Sequence, residues 1–423
     1  MLHYTSFLTH TRARRRLAVP RPASRGASLV DAGTNEMAFP SPRHRVGCVD
    51  YESARGECAY KIYYPTTAVP SSRPWSRPPN VETWLAYYGM TVFMFGVDAW
   101  PLPLRALVAV LCRGVWIVFR LFATLDAVEH APLAPGRFDV VLFSHGLAGF
   151  ATCNAGVALQ LASRGFVVFA VQHRDGSAAV SKVSASCDGG RGARWWTYAS
   201  NGGVFSKRRA QAETRARETE LCAETVDELH RGTAAPNALP EKSLDVSMMF
   251  VGRLRPRDKT LMGFSFGGGT SVKVSARSDA FARVVLQDAW LEYATDRDEI
   301  ARACAMRPTL SIKSERWGAN AKTPNERILK SPGPSGAVKP FVEVEVPGSR
   351  HHCFSDVSFF LGVAKKALGM IGDVDTRTFH AFNAELIAAF VRSGTDRALR
   401  RVVKDFADDL PGVALRFPSR LQK

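Results

Sequence analysis

Along this chain, short continuous apolar runs alternate with longer, helix-length segments. Residues 60–65, 138–143, 166–171, 284–287 and 341–346 have strand length and few polar interruptions. Such runs predict strands buried on both faces, as in a mostly parallel sheet. Residues 157–162, between the second and third runs, have the composition of a buried helix. Strands alternating with helices predict an α/β fold, one central sheet flanked by helices. Residues 211–230 alternate Arg and Glu around Leu221, Val226 and Leu229 and read as a solvated helix. Residues 68–80 and 317–338, rich in Pro, Gly, Ser and basic residues, read as loops.

Residues 259–270 carry the chemistry. An apolar run leads into Gly263-Phe264-Ser265-Phe266-Gly267-Gly268, and the segment after it can start a helix. This is the nucleophile-elbow pattern, a serine on a tight turn between strand and helix. The turn strains the serine backbone and crowds positions two residues away, which explains glycine at 263 and 267. Gly268 lets the helix pack close to the strand. A serine so placed needs a histidine base, an orienting acid and two donors for the oxyanion.

In the α/β-hydrolase order the acid and then the histidine follow the serine. Asp288 stands directly after the 284–287 strand, and His351 and His352 lie in the loop after the 341–346 strand. Ser265, Asp288 and His351 are therefore the candidate triad. Asp279, Asp296 and Asp298 lie in polar surroundings and read as surface residues, while His380 falls on a later helix. The candidate oxyanion donors are the amide of Phe266 and that of Leu147, in the turn 144–147; His145 is expected to be structural.

The most hydrophobic stretch, 84–125, is cut by Asp98, Pro101, Pro103, Arg105, Arg113 and Arg120. The pieces are shorter than the roughly 20 apolar residues of a membrane span. The three arginines fall on one helical stripe, with Leu111, Trp116 and Phe119 among the apolar remainder. Two readings stay open: a helix lying at a lipid interface, or a core helix whose arginines snorkel to water.

A net charge of +17 favours anionic partners. No nucleic-acid motif accompanies it, so a phospholipid surface is the expected partner and nucleic acid is not. Part of the charge sits in residues 1–44, where Arg12, Arg14, Arg15, Arg16, Arg21 and Arg25 precede the first acid, Asp31. That tail reads as a mitochondrial-type targeting segment, a disordered tail or the product of a misplaced start codon. The folded domain is expected over 45–410, with a C-terminal tail at 411–423, and the compartment as cytoplasmic with peripheral membrane association. Eight scattered cysteines without a Cys-x-x-Cys pair imply reduced thiols; neither a metal nor another cofactor is expected.

Several stretches in order resemble the plasma and type II platelet-activating factor acetylhydrolases. Phe143-Ser144-His145-Gly146-Leu147 and residues 161–168 look like the family's oxyanion loop, helix and next strand. Gln172-His173-Arg174-Asp175-Gly176-Ser177 is similar to its His-Arg-Asp-x-Ser segment. Residues 263–268 match the elbow and Leu286-Gln287-Asp288-Ala289-Trp290 the aspartate strand end. Gly348-Ser349-Arg350-His351, with Phe354 and Asp356 beyond, looks like the histidine loop, and residues 372–375 are placed as in the family. The resemblance spans about residues 45–400. It implies an α/β-hydrolase fold, the same triad and donors, and calcium-independent hydrolysis of phospholipids with short or oxidised sn-2 chains. Phe264 departs from it, because the family has histidine there. The residues alone leave two alternatives, a carboxylesterase or lipase on other esters and a catalytically silent lipid-binding homologue.

Overall fold

The computed structural model describes residues 44–54, 56–68, 84–122, 125–187, 192–200, 204–239, 245–292, 294–320, 324–330, 341–360 and 371–417. Residues 1–43 of the expected tail, most of the 68–80 loop and residues 331–338 lie outside them.

The strands are β1 (Arg45–Glu52), β2 (Ala59–Thr66), β3 (Val128–Glu129), β4 (Asp139–Ser144), β5 (Phe166–Val171), β6 (Val180–Val183), β7 (Arg194–Thr197), β8 (Thr260–Phe264), β9 (Arg283–Gln287), β10 (Thr309–Ser314), β11 (Phe341–Val346) and β12 (Ala414–Arg416). The main helices are α1 (Leu85–Phe95), α2 (Leu102–Phe122), α3 (Ala155–Ser163), α4 (Phe205–Arg231), α5 (Phe266–Ser275), α6 (Arg297–Met306), α7 (Thr376–Arg392) and α8 (Asp396–Asp405).

Ten strands form one sheet in the order β12-β11-β10-β9-β8-β4-β5-β2-β1-β3, and β6 and β7 form a separate hairpin. From β5 to β11 every pairing is parallel. β2 runs antiparallel to both of its neighbours. The five apolar runs read from the sequence all became strands of this sheet. β12 is a correction: residues 414–416 belong to the expected tail, yet they pair antiparallel with β11.

Both faces of the sheet are covered, as continuous apolar strands require. Successive β4 residues alternate between two cores. Val141 and Phe143 face α3 and α7 through Leu161, Phe382 and Leu386, whereas Val140 and Leu142 face α4 through Cys222, Val226 and Leu229. The buried face of α4 corrects the solvated-helix reading, since it also takes in Arg208, Arg215 and Glu218. The seven described cysteines with resolved side chains are free thiols.

The described part of the 84–125 stretch forms the pair α1 and α2, of which α1 packs on the β6–β7 hairpin. Eleven of the fifteen large hydrophobic side chains exposed among the described residues lie between Met94 and Val118, led by Leu102 at 74%. Leu104, Leu107, Leu111, Val115 and Val118 recur at helical spacing on the outer side of α2. The inner side carries Cys112, Val108 and half-buried Trp116, which therefore does not share the outer apolar face as expected. Arg105 reaches the Tyr88 hydroxyl at 3.5 Å and Arg113 lies 5.9 Å over the Trp84 ring. The side chains of Phe119 and Arg120 lie outside the described residues. Among those described, no helix is long and apolar enough to cross a membrane.

Candidate active site

The turn between β8 and α5 is built around Ser265, whose backbone sits at φ 54° and ψ −117°. Few non-glycine residues adopt such a conformation, and here the neighbouring glycines leave space for it. A Cβ at Gly263 would come 2.2 Å from the Gly267 carbonyl oxygen, and one at Gly267 would come 2.1 Å from the Ser144 carbonyl oxygen. The turn is then tied to the acid-bearing loop: Ser265 donates its amide to Gln287, and Trp290 donates its own to Ser265.

The three candidate residues converge. His351 Nε2 lies 3.1 Å from Ser265 Oγ, and its Nδ1 lies 3.0 Å from Asp288 Oδ2. Asp288 is fully buried just past β9, also with positive φ (42°), and accepts hydrogen bonds from the amide and hydroxyl of Ser314 at 2.7 and 2.6 Å. Those bonds fix the carboxylate so that its remaining lone pairs face the imidazole. His352 lies edge-on to His351 with ring centres 5.8 Å apart. The other candidates are accounted for elsewhere. Asp296 caps α6, Asp279 pairs with Arg307, and His380 is buried against Phe359, where burial pushes its pKa down to about 3.

Two aromatic rings hold the imidazole. Phe264 lies 4.6 Å from it, tilted by 32°, and Trp317 stacks on it at 4.5 Å and 13°. Trp317 belongs to a short helix, Glu315–Asn320, in what reads from sequence as a loop; a second, Pro324–Lys330, comes after it. Ser314 and Trp317 were missed at the level of sequence. Ser314 carried a usable signal, a hydroxyl at the end of the strand next to the acid, but nothing marked Trp317.

The turn 144–147 lies beside the serine, where a Cβ on Gly146 would stand 3.3 Å from Ser265 Cβ. Phe266 opens α5, so its amide has no partner within the helix. The Leu147 side chain packs against two buried clusters, that of Val92, Val97, Ala148 and Tyr198 beneath α1 and that of Ala212, Phe266 and Ala294.

A second serine–histidine–carboxylate array lies behind this turn. His173 places Nε2 at 2.8 Å from Ser144 Oγ and Nδ1 at 2.6 Å from Glu218 Oε2. Burial pushes the Glu218 carboxyl up to about 7, and burial together with the Arg215 charge pushes both His173 and His145 well below the ordinary imidazole range. Below about pH 7 the pair is thus neutral, with protonated Glu218 donating to His173. His145 places Nδ1 2.8 Å from the Gly146 carbonyl, in keeping with a structural part.

The sheet order, the antiparallel second strand and the elbow define an α/β-hydrolase fold with a Ser–His–Asp constellation at its centre. A solved structure with this architecture, a ferulic acid esterase from Streptomyces cinnamoneus, superposes with a TM-score of 0.55 over 88% of this chain and 94% of that one, at 18% identity. The family model for platelet-activating factor acetylhydrolase, isoform II, matches residues 35–406, and the chain belongs to that family. It is 27% identical to the Canis lupus familiaris platelet-activating factor acetylhydrolase over 60% of this chain and 56% of that protein. With the Gallus gallus protein of the same name it is 28% identical over 60% of this chain and 61% of that one. The chain thus matches less than two thirds of the length of these relatives.

Proposed function

We propose that this protein is a serine esterase that removes short or oxidised sn-2 acyl chains, such as acetyl, from phospholipids without calcium. The observation that carries the reading is the Ser265–His351–Asp288 relay on a strained elbow. Asp288 accepts the Nδ1–H and leaves Nε2 free to take the Ser265 proton. The serine oxygen adds to the ester carbonyl, and the amides of Leu147 and Phe266 receive the oxyanion. His351 returns the proton to the leaving lysophospholipid oxygen, and water, activated by the same imidazole, releases the acyl group. The enzyme acts at a lipid surface: the exposed apolar side of α2 adjoins Leu147 through the α1–α2 packing, so a docked surface would present lipid beside the site.

The test is a substrate panel of glycerophosphocholines with sn-2 chains from acetyl to palmitoyl, with and without EDTA, with Ser265→Ala as control. Acetyl and oxidised chains should be turned over fastest, equally in EDTA. Preference for triglyceride, or loss of activity with calcium removed, would overturn it. Leu107→Ser with Leu111→Ser should weaken vesicle co-sedimentation and vesicle-borne turnover but spare a soluble ester. Equal loss on both would mean that the helix supports the site itself and does not act through lipid.

A further inference from the structure

The segment 172–177 and one face of α4 enclose the turn 144–148, and the proposed chemistry gives neither a role. At their centre is Arg215, which has no exposed surface. Its Nε donates to Ser177 Oγ at 2.7 Å and reaches Asp175 Oδ2 at 3.3 Å. Its Nη1 donates to the His145 carbonyl at 2.6 Å and Nη2 to the Gly146 carbonyl at 3.3 Å. The guanidinium carbon also lies 4.9 Å from the centre of the Phe266 ring. Ser177 completes the frame, because its carbonyl accepts the Ala148 amide at 2.8 Å.

The peptide geometry gives these contacts a consequence. The Gly146 carbonyl and the Leu147 N–H belong to one planar, trans peptide unit, so Arg215, which shares that oxygen with His145 Nδ1 at 2.8 Å and the Gly149 amide at 3.1 Å, helps to aim the N–H. A charged donor on that oxygen further polarises the unit and strengthens its N–H as a donor. The same guanidinium lies against Phe266, whose amide is the other candidate donor. Fixed stability is a poor reason for a buried arginine, since a well-packed apolar side chain stabilises as well or better.

We propose that Arg215 is a positioning residue that presets the Leu147 amide of the oxyanion site and braces the side chain of Phe266 beside the other. The inference rests on the reading of Ser265 as nucleophile. Arg215→Met should lower kcat on p-nitrophenyl acetate by about 10²-fold or more, the scale of losing an oxyanion donor, with KM within about threefold. Arg215→Lys should fall between, because one ammonium cannot span the two carbonyls and Ser177 together. The decisive readout is an alkyl trifluoromethyl ketone, which binds serine as a tetrahedral oxyanion. Its affinity should fall in step with kcat/KM across the variants, while competitive inhibition by the ketone's alcohol analogue stays unchanged.

Folded variants that keep wild-type ketone affinity would overturn the proposal, whether or not turnover falls. If Arg215→Met fails to fold, Ser177→Ala removes an Arg215 acceptor and one donor to Asp175 Oδ1, while the Ser177 amide and Arg215 still hold that carboxylate. It should produce a smaller parallel loss of about fivefold to tenfold, and no loss would count against the proposal. A wild-type protein that takes up neither the ketone nor a fluorophosphonate would instead refute the esterase reading.

Discussion

Two serine–histidine–carboxylate arrays stand back to back in this molecule, and their distances scarcely differ. The Ser265 array measures 3.1 and 3.0 Å, the Ser144 array 2.8 and 2.6 Å. What differs is the setting. Ser144 ends a regular strand with no exposed surface, whereas Ser265 sits on a strained turn with an amide donor directly after it. His351 keeps 16% of its side chain exposed and His173 none. Hydrogen-bond lengths within the three residues therefore do not single out a catalytic serine. Access, the elbow and nearby unpaired amides do.

The comparison can be broken most sharply at the serines. Ser265→Ala and His351→Ala should each lower kcat by at least about 10⁴-fold, because triad members act as a unit. Ser144→Ala should stay within about tenfold of wild type and show instead as a lower melting temperature, since His173 loses a buried partner. Equal loss of turnover in the two serine variants would reverse the assignment. Gly267→Ala comes next. Its Cβ would stand 2.1 Å from the Ser144 carbonyl and push the two arrays apart, at a cost of about 3 kcal/mol or more. Urea unfolding would measure it, and a wild-type midpoint would show that the close approach is wrong.

A smaller effect is expected at Trp317. Removing the ring that stacks on His351 should lower kcat about tenfold through looser imidazole orientation, leave KM unchanged and alter melting little. The smallest signal separates the arrays by pH. The folded pKa of Glu218 is raised to about 7 from the ordinary 4.5. Its stabilising proton is therefore fully present below about pH 4.5 and lost as pH rises through about 7. Glu218→Gln keeps a neutral donor at every pH. It should melt with wild type near pH 5 and a few degrees above it at pH 8, and a gap that does not change with pH would contradict the protonated pair.

Much of this was legible in the residues. Continuous apolar runs gave the strands, and the glycines around Ser265 announced the elbow because no side chain fits there. The order of Asp288 and His351 after their strands named the histidine that meets the serine and the acid that meets the histidine. The buried face of α4 was hidden because arginine and glutamate in alternation normally mark water. Their partners, Asp175 and His173, lie about forty residues away and become neighbours only in the folded sheet. Trp317 was hidden by its composition, a lone aromatic in a polar stretch. Trp116 was grouped with the apolar remainder of α2 although it lies three residues after Arg113 and four before Arg120, on the arginine stripe that turned out to be the inner side.

Leu147 gives the molecule a mechanical shortcut. Its side chain touches the α1–α2 packing on one side and Phe266 on the other, while its amide points from the turn beside Ser265. One residue therefore spans the distance between the cluster beneath the outer helices and the turn beside Ser265, without a strand of the sheet in between.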